Sequence, residues 1–84
     1  MGAIVDQVNI YVEKNQLEEL VQYLVEKAKE TYYSNQAVML SASYHEYLRN
    51  ELEGDIPSNH KAERLRMFKN ALYIAQNLEE ELEE

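Results

Sequence analysis

The sequence predicts an all-α protein, a compact bundle of three to four antiparallel helices. Three observations carry that expectation: only two glycines and one proline stand among 84 residues, helix-favouring Leu, Glu, Ala and Lys are frequent, and apolar residues recur at helical spacing along much of the chain. A chain of this length is expected to form one domain, residues 1–84, burying about 60 to 65 % of the surface its unfolded form exposes. There are no cysteines, so neither a disulfide nor a thiolate zinc site can reinforce the core, which must be built from apolar side chains.

The first segment, residues 3–14, carries Ile4, Val5, Val8, Tyr11 and Val12 at helical spacing. Val8, Ile10 and Val12 also alternate as in a strand, and the composition is β-branched. Helix is the expected state, because a lone strand would leave its backbone unpaired unless a second copy supplied a partner. Asn15 is placed as an N-cap, with Glu18 in capping-box position, for a helix over residues 16–31. Leu17, Leu20, Val21, Leu24 and Ala28 form its apolar stripe, opposite Glu18, Glu19, Glu26 and Lys29. The offset between this stripe and the first one predicts a kink or break at Asn15, with one continuous helix as the alternative.

Residues 32–35 read as a connection, with Ser34 or Asn35 capping a helix over residues 36–53. Ala37, Leu40, Ser41, Tyr44, Tyr47 and Leu48 make its inner face, which Val38, His45 and Leu52 widen. No residue from Thr31 to Tyr44 carries a formal charge, so this stretch is expected to be covered by other segments and its second half to begin the central helix. Gly54 can end the helix in the left-handed conformation, and Pro57 blocks continuation. Ser58 or Asn59 then caps a last helix, residues 59–80, with Leu65, Phe68, Leu72, Ala75, Leu78 and Leu82 as its apolar positions. Lys61, Arg64, Arg66 and Lys69 form a basic patch there. Five carboxylates in the final six positions oppose the helix dipole, so residues 80–84 are expected to fray.

Sixteen acidic against eight basic residues give a net charge of −8. Such a chain repels nucleic acid and anionic membranes, and a charge-steered protein partner should present a basic surface. No apolar run reaches the roughly 20 residues of a membrane span, and MGAIVDQVNIYV lacks the basic start of a secretory signal, which together point to the cytoplasm. No catalytic, cofactor or metal-binding motif stands out. His45 reads as a partly buried histidine of the bundle and His60 as a surface residue.

Seven tyrosines, with no tryptophan and one phenylalanine, are the compositional signature. Tyrosine suits both the margin of a small core and a protein interface. Tyr32, Tyr33, Tyr44 and Tyr47 lie close together in sequence and are assigned as the partner-binding set. The leading expectation is therefore a small acidic, non-enzymatic interaction protein: a regulator, inhibitor or adaptor. A homodimer is a further expectation, since a short bundle can complete its core with a second copy. The acidic faces admit another reading, a mimic of nucleic-acid phosphates of the kind small phage inhibitors present.

LEELVQYLVEKA and SNQAVMLSASYHEYL, within residues 17–52, resemble the two helices of the small hairpin phosphatases of the Spo0E type. That resemblance implies dephosphorylation of response-regulator aspartyl phosphate, through Ser41 and His45. The family's signature places aspartate four positions after its serine, whereas His45 follows Ser41 here and Tyr47 follows Ser43.

Overall fold

A computed structural model describes residues 2–54, 56 and 58–82. Four helices pack on one another: α1 (Ala3–Glu13), α2 (Leu17–Ala28), α3 (Ser34–Glu53) and α4 (His60–Leu82). Residues 3–14 are thus helical, and there is no strand among the described residues. Sequential helices run antiparallel, and α4 returns alongside α1, so Val5 meets Glu79 at one end and Asn15 meets Arg64 at the other. α4 touches all three other helices, while α1 and α3 share no contact among the described residues. α2 likewise touches all three others, so α2 and α4 form the central pair and α3 is not the central helix. With α2 and α4 in contact across the middle, the Cα trace spans 44 × 24 × 16 Å, a flattened bundle little thicker than two packed helices.

Each boundary has a local cause. Asn15 takes φ +58°, its N–H donates to the Val12 carbonyl, and the Gln16 N–H donates to Tyr11. This pair of bonds is a Schellman turn closing α1. Asn15 is thus the left-handed residue after α1 and not the N-cap of α2, whose N-cap is Gln16 with no side-chain cap bond. The expected capping box fails because Asn serves either role and the left-handed one came first. At the next corner, Lys29 ends α2, Glu30 takes φ +65°, and α3 starts at Ser34 behind Tyr33, without side-chain capping by Ser34 or Asn35. Thr31 orders this turn, its Oγ1 donating to the Ala28 carbonyl at 2.7 Å and accepting the Tyr33 N–H at 3.2 Å. Gly54 adopts φ +77° after α3 as expected, and Asn59 stands before α4 with its carbonyl accepting the Glu63 N–H. The role given to Pro57 lies outside the described residues.

The core gathers Ile4 and Val8 of α1, Leu17, Leu20, Val21, Leu24 and Ala28 of α2, and Ala37, Leu40, Tyr44 and Tyr47 of α3. From α4 come Met67, Phe68, Ala71, Ile74, Ala75 and Leu78. Leu65 and Leu82, placed inside by spacing, are exposed, and Leu72 is half-buried. The buried face of α4 is wide because three helices cover it, and Ala71 and Ala75 let them come close. Among the described residues no polar or charged residue is buried in this core.

α4 runs through Leu82; residues 83 and 84 of the tail expected to fray lie outside the described residues. Two of its last carboxylates accept backbone donors from other segments. Glu79 Oε1 accepts the Val5 N–H at 2.9 Å, and Glu81 Oε2 accepts the Tyr32 N–H at 3.3 Å. Glu79 thereby caps the positive end of α1, where no side chain of the local sequence does so. Gly2 makes room for it, because a Cβ there would collide with the Glu79 carboxylate. Gly2→Ala should therefore cost about 1 kcal/mol, the value of a lost cap. Urea unfolding checks this, with Glu79→Ala as background: if Gly2→Ala still costs its full amount there, the cap is not the cause.

Candidate functional site

The four tyrosines assigned to a partner do not share one surface. Tyr44 and Tyr47 belong to the core, because they lie on the side of α3 that faces its neighbours. The Tyr44 hydroxyl reaches the margin and donates to Glu18 Oε1 at 3.2 Å. Burial, then that bond and the Glu18 charge, raise its pKa above the ordinary 10, with Arg64 acting in the opposite sense. Tyr47 stacks face to face on His60, with ring centroids 3.9 Å apart and planes at 5°. His60 is consequently half-buried and not a surface residue, its Nε2 lying 3.2 Å from Glu51 Oε2. His45, expected partly buried, is exposed, its ring tilted 5.7 Å from that of Tyr44.

Tyr32 and Tyr33 remain together at one end of the bundle, their rings 5.3 Å apart at 62°. Tyr33 packs on the core margin, and Tyr32 is 80 % exposed. Across from them α4 supplies Asn77, Glu80 and Glu81, and the five residues bound a concavity of about 430 Å³. Tyr73, also exposed, stands near enough to act on Tyr33. Partial burial, then Tyr73 and Glu81, followed by Tyr32 and Glu80, raise the Tyr33 pKa above 10. Among the described residues no lysine or arginine lines this concavity, so aromatic faces and carboxylates meet there.

Two of the four residues of the basic patch make contacts within the fold, while Lys61 and Lys69 are exposed. Arg64 donates to Asn15 and lies over Tyr47 and Phe68, and Arg66 pairs with Glu63 at 3.2 Å. The uncharged stretch is only partly covered: Ala37, Leu40 and Tyr44 are inside, whereas Val38 and Met39 are 55 % and 70 % exposed. Charge had been excluded from it on both faces, so sequence alone marked the stretch without marking the side that is open.

A second cleft, about 280 Å³, runs between α2 and α3. Its floor is Val21, Val25, Tyr44 and Leu48, and Ser41 and His45 stand on its α3 wall. Among the described residues no group of three or more His, Cys, Asp or Glu side chains is placed to hold a metal ion, and no helix is long and apolar enough to cross a membrane. Comparison with protein-family models, curated proteins and solved structures finds no match to the chain.

Proposed function

We propose that the chain is a non-enzymatic protein-binding module, a regulator, inhibitor or adaptor, whose partner inserts a cationic side chain at the Tyr32–Tyr33 end. The carrying observation is the concavity in which an edge-to-face tyrosine pair faces Glu80 and Glu81, with no lysine or arginine lining it among the described residues. A lysine or arginine there gains attraction from carboxylates and from aromatic faces together. The net charge of −8 would steer such a partner from a distance.

The test uses the full chain and a partner isolated by affinity capture from the source cells and then purified. Tyr32 carries its ring in solvent, so Tyr32→Ala leaves the core intact; Tyr47, which packs inside, is unsuited to this purpose. Truncating an aromatic anchor should cost about 2 kcal/mol, roughly thirtyfold in affinity, and binding should weaken with added salt. Full affinity in a folded Tyr32→Ala variant, or a salt-insensitive complex, would overturn the proposal.

A further inference from the structure

We infer that the outer face of α2 and α3 is a docking groove for a basic amphipathic helix of another protein, a surface separate from the tyrosine end. The α3 wall is a line of residues at seam spacing. Val38, Ser41, His45, Leu48 and Leu52 follow one another by three, four, three and four positions, the repeat that keeps side chains facing a partner helix along its length.

Three of these five are apolar, and Val38 and Leu52, 55 % and 79 % exposed, extend the line past both ends of the cleft. On α2, Val21 and Val25 continue the apolar floor. Neither α1 nor α4 lines this cleft. The corresponding depression between α3 and α4 is different in kind, lined by Ser43, Glu63, Arg66, Lys69 and Asn70 beside Leu40 and Met67. A further depression between α3 and α4, lined by Glu46, Asn50, His60 and Glu63, is also polar, so among the described residues the groove shared with α2 is the one beside α3 that joins an apolar floor to an exposed seam.

Charge selects the occupant. Glu18 and Glu26 stand on the α2 rim, eight residues apart, and among the described residues no lysine or arginine lines the cleft. Eight residues are a little over two helical turns, about 12 Å. A partner helix lying along the groove would match them with two basic residues seven or eight positions apart, beside an apolar stripe of three–four spacing. A second copy of this chain fits badly, because a symmetric contact through this face brings the same acidic rim from both molecules into one interface.

The probe is a synthetic helix of about eighteen residues, five turns, with leucines in three–four–three spacing and two arginines eight apart. It is titrated into the intact protein by fluorescence anisotropy, with backbone amide shifts followed by NMR. Shifts should concentrate on Val21, Val25, His45, Leu48 and Leu52. Leu52→Asp should weaken binding about tenfold or more, the size of one lost apolar anchor. Glu26→Lys should weaken it about threefold or more, and a peptide with glutamate in place of arginine should regain affinity for that variant. Tyr32→Ala should leave peptide binding unchanged, so the fate of this surface is read apart from that of the tyrosine end. The inference is overturned if the peptide fails to bind at about 1 mM, if its shifts fall on the α3–α4 side, or if Leu52→Asp has no effect. It is equally overturned if light scattering shows a dimer that Leu52→Asp disperses, which would make a second copy the occupant.

Discussion

Leu78→Ala should remove about 3 to 5 kcal/mol of stability, the upper part of the range for truncating a fully buried leucine. Leu78 has no exposed surface and sits on α4, which with α2 is one of the two helices that contact all three others. The void it leaves would be bounded by rigid helices and would close poorly. A domain of this size holds about 4 to 12 kcal/mol in total, so the variant should unfold at much lower urea with an unchanged slope. Leu82→Ala is the matched control. It makes the same chemical change one turn further along α4, at a side chain 51 % exposed, and should cost about 0.5 kcal/mol or less. Equal losses at the two positions would contradict the placement of the core on α4.

The contrast between Leu78 and Leu82 marks where sequence reasoning stopped. Helix existence was legible, because few residues could interrupt a helix and apolar spacing held over long segments. Gly54 was legible as a stop, since a left-handed residue followed by proline has few other uses. Asn15 was legible as a boundary but not in its role, because asparagine both caps helix starts and tolerates the left-handed turn after a helix end. The phase of α4 was half legible. Phe68, Ala75 and Leu78 were placed inside and are buried, whereas Leu65 and Leu82, which keep the same helical spacing, are exposed, and Met67, Ala71 and Ile74 join the core; only contact with the neighbouring helices chooses among them.

The site was less legible than the fold. Four neighbouring tyrosines looked like one surface, yet helical rotation turns Tyr44 and Tyr47 inward and leaves Tyr32 outside. The acidic end of α4 read as self-repelling charge. Two of its carboxylates, Glu79 and Glu81, find backbone N–H groups 74 and 49 residues away in sequence, a pairing that no local pattern encodes. The α2–α3 groove left a trace in the text of the chain: Val38, His45 and Leu52 widened the apolar face of α3 beyond what its neighbours cover. Surplus apolar width on a helix is thus a sequence signal for an open face, though it does not say which helix lies beside it.

Arg64→Ala should cost about 1.5 to 2.5 kcal/mol and lower the melting temperature by roughly 4 to 8 °C for each kcal/mol lost. Its guanidinium donates through Nε to Asn15 Oδ1 and through Nη2 to the Asn15 carbonyl, both at 3.0 Å. The same group lies 5.9 Å from the Tyr47 ring centroid and 5.4 Å from that of Phe68. One side chain therefore ties the α1–α2 corner to α4 and covers two aromatic edges of the core. Its charge also lies beside the C-terminal end of α1, where the helix dipole favours a cation. Partial exposure of the two hydrogen bonds keeps the expected loss below that of a buried ion pair. Arg64→Lys preserves the charge but not the planar fork or its stacking, and should recover less than half of the loss. Asn15→Gly tests the geometry directly, because glycine accepts the left-handed turn while deleting the side-chain acceptor. If the clamp operates as described, the loss from Arg64→Ala should shrink by about 0.5 to 1 kcal/mol in the Asn15→Gly background. Strict additivity would mean that the Asn15 side chain carries none of the Arg64 contribution, which would then run through the Asn15 carbonyl, Tyr47 and Phe68.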